Sequence, residues 1–508
     1  MNSALVLSET SRRCIVGAAL LALFLGAMDA LIMSAAMPTI VADLGGMQLY
    51  AWAYASYMLA RAVSLPIFGK LADRFSTKKL FMAAIAIFLV FSVLAGFSRS
   101  MGFLIASRVF QGIGAGGNFA LVYIVLAEIA PTGKRGLYLS WASFVWGLAS
   151  ILGPTLGGVI ISLLDWPWVF FINIPLGLLA ALGITVFYTE SRRKTVPSRI
   201  DLLGALTLSV AVVSLLLLFM LGGRGHTWLS PRLLLLAAAA LAFSALFVMV
   251  EAKAVDPMLP LPFFARPGFR NGNSAVFFSA FAIFALFAYA PLYIQGALGK
   301  TPMHVGMSML VLSTGWSIGA ALVGQLVHRI GRKRSALIGA LLLLAGCGGC
   351  LGLTAASRLA AVLVWFLLAG TGMGFVGVAT MLKVQNAVSQ ADLGVATSSN
   401  QFARSLGGTI GVGICGGIVT AQLSSGIDRL AGSGGLAALT SEQMNRLTAN
   451  LETLFEPQVI DRLPQAAQTV LHQAVSRGLT WSFAIIAAAA LLCLITCALL
   501  PADRRGNP

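Results

Sequence analysis

Fourteen apolar segments recur along the chain, and their length constrains the fold more than any other feature. They lie at about 15–37, 50–69, 80–98, 102–126, 137–161, 169–188, 202–222, 233–252, 271–294, 304–327, 336–354, 359–385, 397–420 and 479–500. A helix needs about 20 apolar residues to cross a bilayer, where backbone groups must satisfy one another. Only 10% of the 508 residues are charged, against about 25% in soluble domains. The sequence therefore predicts an all-α polytopic membrane protein with 14 transmembrane helices.

Basic residues are distributed unequally between the two sets of alternating loops. One set, with both chain ends, holds 21 of the 34 lysines and arginines, whereas the short loops of the other set hold five. Cytoplasmic loops are enriched in Lys and Arg. The bias predicts a multi-pass protein of the cell inner or plasma membrane with cytoplasmic N- and C-termini. The net charge of +17 lies in short clusters between apolar segments, so we expect no nucleic-acid partner.

Two pairs of similar segments indicate an internal repeat. "GKLADRFSTKKL" (69–80) matches "GQLVHRIGRKRS" (324–335) at an offset of 255, and "GIGAGG" (112–117) matches "GTGMGF" (370–375) at 258. Repeated six-helix units are common in transporters. We predict a bundle at 1–190, two inserted helices at 200–253, a second bundle at 268–500 and a cytoplasmic tail at 501–508. The second bundle includes an extracytoplasmic loop at 421–478 that contains an amphipathic surface helix.

Motifs for nucleotide binding or catalysis are absent from suitable contexts. "GIGAGG" fits the G-x-G-x-x-G template but lies within an apolar helix and follows no strand. The chain has no G-x-x-x-x-G-K-[ST] or HExxH sequence, only four histidines, and six cysteines that all lie in apolar segments. We predict that the chain is not an enzyme, holds no metal or cofactor, and draws any energy from an ion gradient.

Several motifs resemble the major facilitator superfamily. "GKLADRFSTKK" is similar to its cytoplasmic loop signature, "LIASRVFQGIGAGG" (104–117) to its fourth-helix signature, and "GLASILGPTLGG" (147–158) to the fifth-helix signature of its exporters. "DWPWVFFINIPLG" (165–177) and "QFARSLGGTIGVG" (401–413) resemble segments of the fourteen-span drug:proton antiporter branch. The resemblance implies two pseudo-symmetric six-helix bundles plus two central helices, alternating access, and proton-coupled export of small hydrophobic or cationic compounds (multidrug efflux).

Other functions stay open at this point. The substrate is a small molecule exchanged for protons across the lipid bilayer if the chain is a drug exporter. A dedicated exporter of one metabolite, lipid or siderophore has the same architecture. A non-transporting membrane sensor or scaffold on this fold is the alternative from another class. A periplasmic adaptor protein is an open partner for an exporter.

Asp29 is the only acidic residue that the pattern places deep in a membrane segment. It lies in "LGAMDALIMSAAMP" (25–38), about 22 Å from the membrane entry at 1.5 Å per residue. Such a carboxylate is costly and marks a functional site by default. The resemblance implies proton coupling; polar packing is the alternative. The family's Thr and Asn, two and five residues later, are replaced by Leu31 and Ser34.

Four cations lie within the segments, at Arg61, Arg108, Lys383 and Arg404. For Arg108, the resemblance implies a role in proton relay, against a structural bond to the backbone of the first helix. Three roles stay open for Arg61: a pair with Asp29, the binding of an anionic substrate, or only a bond to a neighbouring helix. Lys383 is expected to extend toward the cytoplasm, as long basic side chains near helix ends do.

Two motifs carry predicted conformational roles. The resemblance implies that Gly69, Asp73 and Arg74 latch the two bundles together in the outward-facing state, whereas topogenic charge alone is the simpler explanation. Glycines let helices approach closely and proline removes a backbone hydrogen bond. The fifth helix is therefore a predicted hinge, with simple packing as the alternative, at Gly147, Gly153, Pro154, Gly157 and Gly158.

A central substrate cavity is predicted from polar and aromatic side chains. A single aromatic residue in such a segment is more often a packing residue or part of the interfacial aromatic belt. The candidates are Arg61, Gln111, Trp141, Trp146, Tyr289, Tyr293 and Trp316.

Overall fold

The structure, a computed structural model, describes residues 8–45, 49–131, 133–190, 201–222, 229–254, 257, 259–298, 300, 302–354, 357–432 and 465–503. Long helices dominate these residues. They are α1 (Glu9–Leu44), α2 (Tyr50–Arg74), α3 (Thr77–Gly96), α4 (Met101–Ile129), α5 (Arg135–Leu163), α6 (Trp168–Phe187, interrupted at Ile172), α7 (Leu202–Gly222), α8 (Pro231–Lys253), α9 (Pro267–Leu292), α10 (Pro302–Ile330), α11 (Arg332–Gly349), α12 (Leu359–Asn386), α13 (Leu393–Gly432) and α14 (Gln465–Ala498).

The helices confirm an all-α membrane protein, and each coincides with one predicted segment. Among the described residues, twelve helices are long and apolar enough to cross a membrane, and α5 makes a thirteenth if its two halves form one span. The exception is α2, which carries Arg61 in its middle. The predicted count of fourteen spans is therefore not confirmed by length and hydropathy.

The long predicted loop is shorter in the structure than in the sequence prediction. Helix α13 continues to Gly432 and α14 begins at Gln465, so both extend into the predicted loop of 421–478. The amphipathic segment at 440–463 and the tail residues 504–508 lie outside the described residues.

The same packing pattern occurs in the two sets of six helices. In the first set α4 packs on α2 and α3, α1 packs on α5 and α6, and α3 contacts α6. In the second set α12 packs on α10 and α11, α9 packs on α13 and α14, and α11 contacts α14. The repeat seen in the sequence thus corresponds to a repeated arrangement of helices. Helices α7 and α8 pack on each other, and α7 also contacts α2 and α13.

Glycines of the repeated motif bring corresponding helices into contact. A Cβ atom at Gly112 or Gly116 would meet backbone of α2, and one at Gly114 would meet backbone of α3. In the second bundle, Gly370 and Gly374 face α10 and Gly372 faces α11 in the same way. Small residues are what allow membrane helices to pack at this distance, so the glycine spacing serves packing and not nucleotide binding.

Two symmetric helix pairs join the bundles, α2 with α13 and α5 with α10. Gly69 of α2 lies against Gly394 and Ser398 of α13. Gly324 of α10 lies against Gly136 and Ser140 of α5 in the same manner. These contacts all lie near one end of the molecule, where α2, α4, α10 and α12 end and α5 and α13 begin. We call it the basic end, because Lys70, Lys134 and Arg329 lie there.

The seam between α10 and α12 gives a test of this packing. A Cβ at Gly374 would clash with backbone of α10, whereas one at Gly348 has nothing within 4 Å. We expect Gly374→Leu to lose about 1–3 kcal/mol of stability through overpacking. Gly348→Leu should match or exceed the wild type, because leucine favours helix more than glycine. Thermal unfolding of the purified proteins in detergent measures both, and equal stability of the two variants would contradict the packing.

Candidate functional site

A buried network of polar side chains surrounds Asp29 inside the first bundle. Arg108 Nη1 lies 2.6 Å from Asp29 Oδ2, and neither side chain is exposed. The other carboxylate oxygen, Oδ1, accepts hydrogen bonds from Gln111 Nε2 at 3.0 Å and Asn173 Nδ2 at 2.9 Å. Three helices, α4, α6 and α1, therefore meet through this one carboxylate.

A second layer of contacts orients the network. The hydroxyl of Ser92, on α3, accepts from Gln111 and Asn173 and donates to the carbonyl oxygen of Phe170 at 2.9 Å. The guanidinium of Arg108 lies 4.1 Å from the ring centroid of Tyr57, a geometry that favours the cation. Its Nη2 atom has no hydrogen-bond partner among the described residues.

The arrangement identifies the partners of Asp29 and Arg108. The partner of Asp29 is Arg108, so the suggested pairing of Asp29 with Arg61 is wrong: the Arg61 guanidinium instead lies 4.3 Å from the ring centroid of Phe119. Arg108 bonds to a side chain of α1 and not to the backbone of that helix. Gln111, predicted for the substrate cavity, is fully buried against Asp29.

Sequence reasoning missed two members of the network. Asn173 donates to the carboxylate of Asp29, and Ser92 accepts hydrogen bonds from Asn173 and Gln111. Asn173 lies in the quoted segment "FFINIPLG", where a lone amide in an apolar helix was the available signal. Ser92 carries no such signal, because serine is common in membrane helices.

Asp73 connects the two bundles at the basic end. Its Oδ1 accepts from the backbone N–H of Gly394 at 2.6 Å and its Oδ2 from that of Val395 at 2.8 Å. Both donors belong to the first turn of α13, whose N–H groups have no partners within the helix and whose dipole favours an anion. Arg74 is the last residue of α2. Gly69 allows the approach, because a Cβ there would clash with Ser398.

The glycine-rich helix α5 changes direction by 41° between Arg135–Ser150 and Thr155–Leu163. On its first half, Gly147 packs against Ser317 of α10, in the other bundle. At the bend, Gly153 packs against α1 beside Asp29: its Cβ would lie 2.9 Å from Leu31 Cβ. Gly157 is buried and Gly158 exposed, and the side chain of Pro154 lies outside the described set.

The predicted cavity residues separate into two groups. Residues of the first group lie together between the bundles, and residues of the second group do not. The rings of Trp146 and Trp316, from opposite bundles, are parallel with centroids 6.5 Å apart. Trp141, by contrast, is 37% exposed beside Tyr138.

The two tyrosines belong to the second group. The hydroxyl of Tyr289 donates to the carbonyl oxygen of Val412 and that of Tyr293 to Thr354, each at 2.8 Å. Both bonds lie within the second bundle. Only Arg61, Trp146 and Trp316 of the predicted set thus lie together between the bundles.

Lys383 reaches the basic end, in agreement with its expected direction. Its Nζ lies 2.7 Å from Asp503 Oδ1 and donates to the carbonyl oxygen of Pro501 at 2.7 Å. Burial disfavours the charged form of Asp503, but hydrogen bonds from Lys383 and from the backbone of Lys333 outweigh it and lower the pKa of that carboxyl. The end of the chain is thereby tied to α12 and α11.

The ion pair predicts strong energetic coupling between Asp29 and Arg108. Removing one partner of a buried pair costs about 3–5 kcal/mol, because the other charge stays buried and unpaired. We expect Asp29→Asn and Arg108→Gln each to destabilise the protein, and the double variant to lose much less than their sum.

The matched control combines Asp29→Asn with Arg61→Gln. These two residues share no partner, so their effects should add to within about 0.5 kcal/mol. Thermal unfolding of the three single and two double variants gives the coupling. Additive effects for Asp29 with Arg108, or coupling to Arg61 instead, would contradict the assigned pairing.

Comparison with known proteins gives the family. The model of the Major Facilitator Superfamily matches residues 19–412. The chain is 33% identical over 473 residues to the multidrug transporter protein MdtP of Bacillus subtilis (strain 168), covering 90% of this chain and 86% of MdtP. It is 30% identical over 499 residues to multidrug resistance protein 3 of the same organism, with 96% and 95% covered.

Solved structures share the fold at low sequence identity. The human organic anion transporter MFSD10 superposes with a TM-score of 0.63 at 14% identity, over 96% of this chain and 99% of that one. The proton:xylose symporter XylE gives 0.61 at 16% identity, over 97% and 96%. The family match, the two repeated bundles and the relatives agree: this chain belongs to the major facilitator superfamily.

Proposed function

We propose that this protein exports small hydrophobic or cationic compounds, in the manner of multidrug efflux, in exchange for protons. Relatives at 30–33% identity over most of the chain are named multidrug transporters, and the efflux pump dotC of Dothistroma septosporum is 30% identical over 494 residues. The observation that carries proton coupling is the fully buried Asp29–Arg108 pair within a two-bundle transporter. Transporters of this family have no hydrolytic step, so the chain is not an enzyme in this proposal.

The basic end faces the cytoplasm in this proposal, as the loop charges indicate. Contacts between the bundles at Gly69, Gly136 and Gly324 then close the cytoplasmic side. The described conformation corresponds to an outward-facing member of an alternating-access cycle.

Proton coupling follows from the charge balance around Asp29. Ionised Asp29 neutralises Arg108; a protonated Asp29 leaves that arginine as an uncompensated buried cation. Such a cation is costly in a low-dielectric interior. Protonation from outside therefore favours a conformation in which Arg108 gains water or another acceptor, and release of the proton to the cytoplasm restores the pair.

Asp73 and α5 supply the moving parts. Opening the cytoplasmic side separates α2 from α13, which breaks the two charge-assisted bonds from Gly394 and Val395. On the other side of the interface, α5 contacts α10 through Gly147 and α1 through Gly153. A change in the α5 bend thereby transmits motion at Asp29 to the bundle interface.

The remaining alternatives concern the substrate and the proton site. A dedicated exporter of one metabolite, lipid or siderophore uses the same machinery, and an adaptor protein extends it without changing it. A static sensor or scaffold gains nothing from a buried ion pair at the junction of three helices. Glu128 is the second candidate for the proton, since it accepts a hydrogen bond from the Tyr188 hydroxyl at 2.8 Å.

The latch proposal predicts a weaker cytoplasmic gate in Asp73→Asn. Asparagine is neutral and offers one acceptor oxygen, so one N–H of α13 loses its partner. We expect cysteines at Gly136 and Val327, which lie side by side across the α5–α10 contact, to crosslink less readily in this variant.

The matched control is Asp392→Asn. Asp392 precedes α13 and is half-buried, and its Oδ2 accepts from the hydroxyl of Ser389 within the same loop. It should leave crosslinking at the wild-type rate. Equal crosslinking in the Asp73 and Asp392 variants would contradict the latch. The charges of the segment that contains Asp73 would then serve only to set the membrane topology.

The coupling proposal predicts that Asp29→Asn abolishes uphill transport. Asparagine has nearly the same shape but binds no proton in this role. Uptake of anionic, neutral and cationic anthracene derivatives into inverted membrane vesicles with an imposed pH gradient should fall to background for each derivative that the wild type accumulates, while substrate exchange without a gradient persists.

The control is Asp43→Asn, since Asp43 is exposed and accepts from Trp166 Nε1 at 2.7 Å near the opposite end of α1. It should transport like the wild type. Asp29→Glu, which keeps a titratable group, should retain partial uptake. Wild-type accumulation by Asp29→Asn would move the proton site to Glu128.

A further inference from the structure

Two more buried arginines lie between the bundles and take no part in the Asp29 network. Arg61 of α2 is 8% exposed and Arg404 of α13 is 7% exposed. The hydroxyl of Tyr123, on α4, faces Arg404 and Gln401 across the interface, and Arg61 is close enough to act on it electrostatically. The two cations therefore flank one place where α2, α4 and α13 converge.

No carboxylate neutralises these two arginines among the described residues. Neither forms an ion pair there, and hydrogen-bond partners are absent for Arg61 Nη1 and for Arg404 Nε and Nη1. The Tyr123 hydroxyl, which Arg404 and Gln401 approach, is neutral and therefore leaves both arginine charges uncompensated. Buried donors without acceptors cost free energy, so the cluster is complete only when an acceptor occupies it.

The internal repeat relates this cluster to the two tryptophans. The offset of 255 that relates Gly69 to Gly324 also relates Arg61 to Trp316, and the offset of 258 relates Trp146 to Arg404. Each bundle thus contributes one arginine and one tryptophan at the same place on opposite helices. The repeat therefore relates the four side chains in two pairs, each with one member in each bundle.

These four residues also share one depth. Each lies 11–14 residues from the basic end of its helix, which corresponds to about 17–21 Å along the axis. That depth is near the middle of the membrane, where transporters of repeated bundles bind substrate at the repeat interface.

The aromatic contacts leave the arginine donors free. The guanidinium of Arg61 lies over the faces of Phe119 at 4.3 Å and Trp146 at 5.5 Å. Stacking uses the flat face of a guanidinium, whereas its N–H groups point outward in the plane, in the fork that matches a carboxylate. On the other side, Gly377 approaches Arg404 closely: a Cβ there would lie 2.9 Å from Nη2.

We propose that Arg61 and Arg404 bind the anionic group of the exported compound, a carboxylate, while Trp146 and Trp316 contact its flat apolar body. This inference rests on the proposed export function and narrows its substrate from hydrophobic or cationic compounds to hydrophobic anions. A cation is disfavoured, because the one acidic side chain of the deep network, Asp29, is occupied by Arg108.

The test compares three probes with the same anthracene body: the carboxylate, the carboxamide and the aminomethyl derivative. Fluorescence anisotropy measures their binding to the purified full-length protein in detergent at neutral pH. We expect the carboxylate to bind about tenfold tighter than the carboxamide, as hydrogen bonds to a charged group do, and the amine most weakly. A carboxylate that binds no tighter than the carboxamide overturns the proposal, whether or not any probe binds.

Substitutions test whether the preference for the carboxylate probe depends on Arg61 and Arg404. Arg61→Gln and Arg404→Gln should each abolish the preference for the carboxylate, and the corresponding lysine variants should keep part of it. Trp316→Leu should weaken all three probes without changing their order. The matched control is Arg99→Gln, an exposed arginine, which should bind like the wild type. A preference that survives in both glutamine variants also overturns the proposal.

Transport measurements distinguish this inference from the proposed export function on which it rests. Uptake of the three probes into inverted vesicles is measured with and without a pH gradient. If the carboxamide or the amine is driven by the gradient and the carboxylate shows no binding preference, export stands and the anion site fails. If the carboxylate binds selectively but no probe is driven by the gradient, the anion site stands and proton-driven export fails.

Discussion

The pairing of Asp29 with Arg108 is the interaction on which the rest of the mechanism depends. A carboxylate and a guanidinium without solvent exposure persist in a membrane protein only as partners. Gln111 and Asn173 complete the carboxylate's hydrogen bonds and tie α4 and α6 to α1. A proton that reaches Asp29 neutralises the one carboxylate to which side chains of α4 and α6 are hydrogen-bonded. The location that makes the pair costly is therefore the location from which its titration can move a bundle.

The two bundles share one arrangement of helices, and the proposed function depends on residues that differ between them. Glycine contacts repeat in both bundles, and so do the two helix pairs that join them. Phe366 occupies the place in the second bundle that corresponds to Arg108, so only the first bundle holds the ion pair. In the second bundle, the position that corresponds to Asp73 is likewise occupied by a different residue, His328. In the proposed mechanism, one proton site and one acidic latch give this symmetric scaffold a defined direction of movement.

Sequence periodicity was sufficient for the fold and for the deep acid, because apolar length, loop charge and glycine spacing are local properties. Partnership was not predictable in the same way. Asp29 and Arg108 are 79 residues apart, and nothing local distinguishes Arg108 from Arg61 as the partner. Asn173 and Ser92 are ordinary residues until folding brings them to the carboxylate. Arg404 was unremarkable in sequence, because its meaning lies in its relation to Arg61 across the bundle interface.

Infrared spectroscopy of the Asp29 carboxyl tests the proton-carrier role most directly. Purified wild-type protein and Asp29→Asn are compared as the pH is lowered, with Asp43→Asn as the control. A proton carrier at Asp29 predicts a protonated-carboxyl stretch that grows on acidification in the wild type and in Asp43→Asn. The same stretch should be missing from the Asp29→Asn protein. Identical spectra for the wild type and Asp29→Asn would contradict the proposed role of this aspartate.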